Sequence, residues 1–340
     1  MTAQVAPLVE TTRGISADAG AIENVHFGAV AVVNAKGDVL HCAGDPDYPT
    51  FTRSALKPLQ ALPLVESDGI KALGLDAADL ALFCASHSGE PRHVERVAAI
   101  LKTLALAETD LQCGCQVPIY YATTGKKPPA DAVFTQLHHN CSGKHTGMLA
   151  WCRFNGVDHG NYLDLDHPLQ QRIHQRLLEE MRLEEDQAPV GIDGCSAPNY
   201  QVPLSALARF YARIAISDAT AEPALASIFE AMTGYPELVS GEGRPDLAYM
   251  SARAGDWISK AGADGVQVLA SKTRGLGIAL KIADGSPRAL NTAMVGVLAA
   301  LDMLDDEGRR LTHAWHRPEI RNYKKLAVGV QRSVVKLESS

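Results

Sequence analysis

The sequence predicts a mixed α/β (α+β) fold. One antiparallel sheet is built from both chain ends, and a helical lobe is folded from the middle. Short apolar runs bounded by turn residues occur at residues 25–44 and again at 265–285, which is the pattern of strands. Between them, apolar residues recur mostly at helical spacing. No internal repeat, low-complexity tract or clear linker divides the chain. The simplest packing joins the terminal strands. This makes residues 1–340 a single unit, with a sheet-containing lobe at about 20–53 and 255–340 and a mainly helical lobe at about 54–254.

The elements follow in order. Residues 1–20 are polar and rich in small residues. "VHFGAVAVVNAKGDVLHCAG" (Val25 to Gly44) reads as two strands around a turn at Ala35, Lys36 and Gly37. From Ser54 to about Ser67 the pattern is helical, with Leu56, Leu59, Leu62, Leu64 and Val65 apolar. "LALFCAS" (Leu80 to Ser86) reads as a short apolar strand ending in polar residues. Helices are expected at 92–106, 144–155, 166–182, 202–216 and 221–233. "GVQVLASKTRGLGIALKIADG" (Gly265 to Gly285) reads as two strands broken near Lys272 to Gly275. "SPRALNTAMVGVLAALDML" (Ser286 to Leu304) reads as a long apolar helix. Residues 305–340 are charged and show no period that assigns them.

Bulk properties exclude some functions. Hydrophobic residues make up 46% and charged residues 21%, ordinary for a globular protein. A net charge of −7 lacks the basic footprint of a nucleic-acid-binding surface. No segment approaches the roughly 18 apolar residues of a membrane span. The N-terminus lacks a basic segment followed by an apolar run, so no export signal is expected. Seven cysteines, an odd number, then point to reduced thiols in a cytoplasm.

Ser54 and Lys57 stand three residues apart in "FTRSALKPLQ". On a helix, such positions share a face, so hydroxyl and amine can meet. A serine hydroxyl needs a base to become a nucleophile, and lysine serves only when neutral. The pair alone also fits polar decoration of a helix. Two further segments follow: "CASHSGEPRH", with Ser86 and Ser88 in a polar turn, and "SKAGADG", with Lys260 immediately ahead of a glycine-rich strand start. The order parallels the S-x-x-K, S-D-N, K-T-G series of serine β-lactamases and penicillin-binding proteins, with imperfect second and third elements. Arg53 adjoins the candidate nucleophile, where an arginine either clamps a carboxylate in two-pronged fashion or forms a surface ion pair.

A second cluster is "HHNCSGKHTGML" (His138 to Leu149) with "GIDGCSAPNY" (Gly191 to Tyr200). Cys141, Lys144, His145 and Cys195 offer two thiolates and a nitrogen for Zn²⁺ with an open fourth position; the bland alternative is buried, unliganded cysteines. Cys113 and Cys115 look metal-like or redox-like but lack a nearby histidine. His138 and His139 read as loop caps, Trp151 and Trp315 as core or interface residues, and Leu177 to Asp186 as a solvated acidic helix end.

Taken together, these segments resemble the rhizobial-type (class 3) L-asparaginases of the asparaginase II family. The carrying stretches are "RSALKPLQALPLVESDG", "CASHSGEPRH", "NCSGKHTGML", "GIDGCSAPN", "SKAGADGV" and "GLGIALKIADG", spanning roughly residues 25–300. Thr146 stands where alanine is expected. The resemblance implies a serine β-lactamase or penicillin-binding-protein-like fold, a cytoplasmic homodimer, and hydrolysis of L-asparagine to L-aspartate and ammonia. It implies two serine–lysine pairs, Ser54 with Lys57 and Ser86 with Lys260. It also implies zinc on Cys141, Lys144 and Cys195, and places Arg53, His145 and Asp193 near substrate. Two rivals stand beside it. A glutaminase or other acyl hydrolase of that fold needs Ser54 and Lys57 but not the cysteines. A non-enzymatic zinc module needs the cysteines but not Ser54.

Overall fold

The computed structural model describes residues 4–17 and 20–339. Its strands are β1 (Ala6–Gly14), β2 (Gly20–Asn34), β3 (Val39–Ala43), β4 (Pro49–Phe51), β5 (Val190–Ile192), β6 (Pro198–Pro203), β7 (Trp257–Gly262), β8 (Val266–Ser271), β9 (Leu276–Ile282), β10 (Glu319–Arg321), β11 (Ala327–Ser333) and β12 (Glu338–Ser339). The main sheet runs β10-β11-β1-β2-β9-β8-β7, with β3 and β12 joined through β2. Its pairings are antiparallel, as expected for a sheet assembled from both chain ends.

β2 organises this sheet by changing partners. Residues 20–28 pair with β1, and residues 28–34 pair with β9. Its second half is buried on both faces, which is why the sequence there is a continuous apolar run. Ala29, Ala31 and Val33 point into the core shared with the helical lobe. Val30 and Val32 point into a second core beneath the helix Pro287–Ala300.

The helical lobe includes the helices Lys57–Glu66, Ala77–Phe83, Pro91–Thr103, Ser142–Asn155, Pro168–Met181 and Pro223–Gly234. The helix Leu204–Ile216 lies against β2, β8 and β9 and ties the lobe to the sheet. That contact needs Gly277 of β9, because a Cβ there would stand 2.0 Å from the carbonyl oxygen of Ala208.

Four features depart from the sequence reading. The apolar run at 80–86 belongs to a helix, Ala77–Phe83, and not to a strand. Asp76 and Asp79 form a capping box at its start, and its buried residues surround it, so no one-sided period shows. β1 precedes residue 20, where no strand was expected. Glu10, Thr11 and Thr12 are polar yet buried, and cross-strand bonds such as Arg332 Nε to Glu10 (2.6 Å) satisfy them. The charged C-terminal segment forms the helix Asp306–His316 and the strands β10 to β12. A small sheet, β4-β6-β5, sits beside the helical lobe.

Gly277→Ala is expected to cost about 1–3 kcal/mol, because the added methyl group forces the helix backbone off the sheet. Chemical denaturation measures this, and an unchanged midpoint would show that the contact has slack.

Candidate active site

Two lobes deliver one lysine each to the same hydroxyl. Lys57 is the first residue of the helix Lys57–Glu66 and is 1% exposed. Its Nζ donates to Ala85 O (2.7 Å), Ser86 Oγ (2.8 Å) and Asn140 O (3.5 Å). Lys260 lies within β7, not ahead of it, and is 0% exposed. Its Nζ reaches Ser86 Oγ (2.8 Å) and Ala261 O (2.8 Å). Ser86 follows the helix Ala77–Phe83, is 3% exposed, and is fixed by its own N–H donating to Val239 O (3.0 Å).

Two ammonium groups cannot comfortably share one oxygen away from water. Burial lowers the Lys57 pKa, and Lys144 adds to the effect against the raising pull of Cys141 and Cys195. Burial likewise brings Lys260 down to about 7, helped by Lys57 and Arg244 and opposed by Asp246. A neutral amine can accept the Ser86 proton, so hydroxyl and amines form a short proton path.

Sequence reasoning missed Asp246 and Arg244. The Asp246 carboxylate is buried and accepts from Ser259 Oγ (2.8 Å), Ala261 N (2.9 Å) and Gln267 Nε2 (2.8 Å). It thereby grips the residues on both sides of Lys260. Arg244 donates from Nη1 to the Ser86 carbonyl oxygen. The only local signal was "GEGRPD", a turn leading into a helix, which says nothing about what the turn reaches.

Ser54 is half-buried in a single 3₁₀ turn, Arg53–Leu56, ahead of the helix. Its carbonyl accepts from the Lys57 N–H. Among the described residues, no hydrogen bond joins Ser54 Oγ to Lys57 Nζ, because the amine is drawn to Ser86 and the carbonyls beside it. Arg53 has a left-handed backbone, φ 48°. Such strain costs of order 1–3 kcal/mol. It is held by Asn199 Oδ1, which accepts from Arg53 N (2.9 Å), and by the guanidinium, which donates to Asp193 Oδ1 (2.7 Å) and to Asp264. The carboxylates clamped by Arg53 are thus the chain's own. A cleft of about 410 Å³ opens here, lined by Arg53, Phe51, Gly191, Asn199 and Asp264 among others.

The cysteine cluster gathers next to Lys57. Cys141 precedes the helix Ser142–Asn155, whose first turn carries Lys144 and His145; Cys195 comes from the turn after β5. Lys144 Nζ is 2.9 Å from Cys195 Sγ. A hydrogen bond from Cys195 takes the Cys141 thiol well below its usual range, with Lys57 and Lys144 helping against burial. The same bond, with burial, raises Cys195. Of the two sulfurs, Cys141 is thereby favoured as the thiolate and Cys195 as the thiol. Burial would lower Lys144, but Cys195 and Cys141 outweigh it and raise its pKa. Burial brings His145 down to about 4, so its imidazole is neutral. Its Nδ1 lies 2.6 Å from the Tyr162 hydroxyl, and its buried Nε2 has no hydrogen-bond partner. Burial would raise Asp193, but Lys144 and Arg53 keep it below the usual carboxylate range.

Among the described residues, no group of three or more His, Cys, Asp or Glu side chains converges as a metal site. Cys141, Lys144 and Cys195 do converge, and two sulfurs with an amine fit a thiophilic cation once the remaining thiol proton and the ammonium proton are lost. The remaining cysteines are free thiols, with Cys113 buried and Cys115 exposed. His138 and His139 each accept a backbone N–H, from Thr135 (3.1 Å) and Cys141 (3.0 Å), in keeping with loop caps. No helix among the described residues is long and apolar enough to cross a membrane.

No curated protein matches the chain. Among solved structures it is similar to a β-lactamase from Mycobacterium bovis, with 16% identity and a TM-score of 0.42, covering 80% of this chain and 94% of that one. It is also similar to a penicillin-binding protein homologue from Caulobacter crescentus, with 18% identity and a TM-score of 0.38, covering 77% and 90%. The family model described as L-asparaginase II matches residues 9–333, nearly the whole length, and the chain belongs to that family.

Proposed function

We propose that the protein is an L-asparaginase that hydrolyses L-asparagine to L-aspartate and ammonia by serine–lysine catalysis. Family membership makes it an asparaginase-like acyl hydrolase. The observation that carries the reading further is the Ser86 hydroxyl held at 2.8 Å by each of two buried lysine amines. Such a group can move protons without a histidine.

In the proposed cycle, Ser54 Oγ attacks the side-chain amide carbon, and its proton passes to Lys57. Ser86 and Lys260 relay a proton to the departing nitrogen, which leaves as ammonia. The ester left on Ser54 is cleaved by water, giving aspartate and restoring the hydroxyl. Ser54 suits attack because it is half-buried, beside the cleft at Arg53, and its Oγ has no hydrogen bond among the described residues. A second reading makes Ser86 the nucleophile. The two amines on its Oγ favour that reading, and its near-complete burial opposes it.

Cys141, Lys144 and Cys195 would hold Zn²⁺. Two thiolates offset the metal's charge and leave it a weak Lewis acid, suited to orienting a polar substrate group. Asp193 and His145 border that cluster and would position substrate. A homodimer and a cytoplasmic setting belong to the same proposal.

Ammonia release from asparagine, and not from a β-lactam, is the expected activity. Ser54→Ala should abolish it in folded protein, and Ser54→Ala with Lys57→Ala should be little worse than either alone. Mass spectrometry of trapped acyl-enzyme should find the adduct on Ser54; an adduct on Ser86 would select the second reading.

The rate should rise with pH through an apparent pKa near 7, because Lys260 works as a neutral amine and is protonated below that value. Asp246 raises the Lys260 pKa, so Asp246→Asn should move the acid limb of the pH profile to lower pH. A rate that falls from neutral to mildly alkaline pH in folded protein contradicts a lysine base.

Metal analysis should find zinc in protein purified without added metal. Removing it, or making Cys141→Ala, should raise KM for asparagine much more than it lowers kcat, since binding made equally in ground and transition states acts on KM. A lower melting temperature with unchanged KM would make the cysteines a structural pair.

A further inference from the structure

Arg244 is a third cation at Ser86, and the proposed cycle gives it no task. It donates once, from Nη1 to the Ser86 carbonyl oxygen, and forms no ion pair among the described residues. A guanidinium carries five N–H donors in a planar fork, so most of its capacity is unused. Asp246 is the acid that acts on it electrostatically, but that carboxylate already accepts from Ser259, Ala261 and Gln267. Arg53 is the opposite case, since both Asp193 and Asp264 neutralise it.

The chain is shaped to bring Arg244 there. Gly241 and Gly243 have φ values of 147° and 73°, in a region that disfavours side chains. A Cβ on Gly241 would fall 2.3 Å from Ser88 Oγ. Pro245 then opens the helix Pro245–Ala252, leaving Arg244 at its start beside Ser86. A half-buried guanidinium with most of its donors unused is well placed to take a ligand's counter-charge.

We propose that Arg244 binds the α-carboxylate of the substrate and so selects amides of amino dicarboxylic acids over amides without a free carboxylate. This rests on the asparaginase reading above. In asparagine, only two carbons separate the reacting amide carbon from the α-carboxylate. Arg244 is anchored on the backbone of Ser86, whose hydroxyl joins Lys57 and Lys260, so its fork stands beside the proposed proton relay. Carboxylate recognition by an arginine fork is two-pronged, which fixes orientation as well as affinity.

The test compares L-asparagine with 3-aminopropanamide, the same amide with hydrogen in place of the carboxylate. Wild type should prefer asparagine strongly. Arg244→Met should lower kcat/KM for asparagine roughly 10- to 100-fold more than for 3-aminopropanamide, the scale of hydrogen bonds to a charged group, with both compared above the acid limb of the pH profile. Arg244→Lys should fall between, and it carries the test if circular dichroism shows the methionine variant unfolded. Equal losses on both amides would overturn the inference and make Arg244 a support for the Ser86 backbone. L-aspartate binding, followed by calorimetry, gives a readout independent of turnover. It should weaken by a similar factor in the variants. If wild type hydrolyses neither amide, the asparaginase reading falls, and aspartate binding alone decides: weakening upholds the carboxylate site, whereas binding absent from wild type or unchanged in the variants rejects it.

Discussion

The site depends on one oxygen atom shared by two dehydrated amines. Lys57 comes from the first helix of the helical lobe and Lys260 from β7 of the sheet, so the Ser86 hydroxyl sits where the lobes join. Burying one lysine is costly, and burying two in contact with the same atom is tolerable only if the charge is reduced. The backbone makes that state habitable. Carbonyls of Ala85, Asn140 and Ala261 accept N–H bonds from the amines, so no donor needs water. The long β2, with apolar residues on both faces, supplies the rigid floor on which this arrangement stands.

Cys141, Cys195 and Lys144 solve a related problem with the opposite outcome. Lys57 and Lys144 are both buried, yet Lys57 is driven towards neutrality while Lys144 is held as an ammonium. The difference lies in what each amine touches. Lys57 donates to carbonyls and a hydroxyl, and the two cysteines do not overcome its burial; Lys144 lies 2.9 Å from the Cys195 sulfur, and there the cysteines outweigh burial. The cluster is thus internally balanced, and exchanging its protons for a divalent cation keeps that balance.

Much of this was legible in the sequence, for reasons that differ by residue. Ser54, Lys57, Ser86 and Lys260 stand in short polar interruptions of apolar elements, where chemistry shows against the packing pattern. Helices such as Leu204–Ile216 have a clear period, and β8 and β9 read as apolar runs bounded by turn residues; these were placed within a few residues. β1 was hidden because its burial is achieved by paired polar side chains. The helix Ala77–Phe83 read as a strand because short, fully buried elements lose their period. Spacing also paired Lys57 with Ser54, whereas the amine turns to a residue 29 positions away. Asp246 and Arg244 lay beyond reach for the same reason: their partners are set by chain crossings, such as Ser86 N to Val239 O, that no local pattern encodes.

The distribution of uncompensated charge follows from these pairings. Arg53 is neutralised twice, and Lys144 is neutralised by sulfur, so the positive charges near the cysteine side are spoken for. Around Ser86 the compensation is weaker, since Lys260 and Arg244 both draw chiefly on one buried carboxylate, Asp246, whose oxygens are already engaged, and secondarily on Cys141. In surroundings of low dielectric such an imbalance acts strongly over a few ångströms. On the asparaginase proposal, the substrate carboxylate meets Arg244 beside Ser86, and the buried charges that tune the lysines also contribute to the direction of binding.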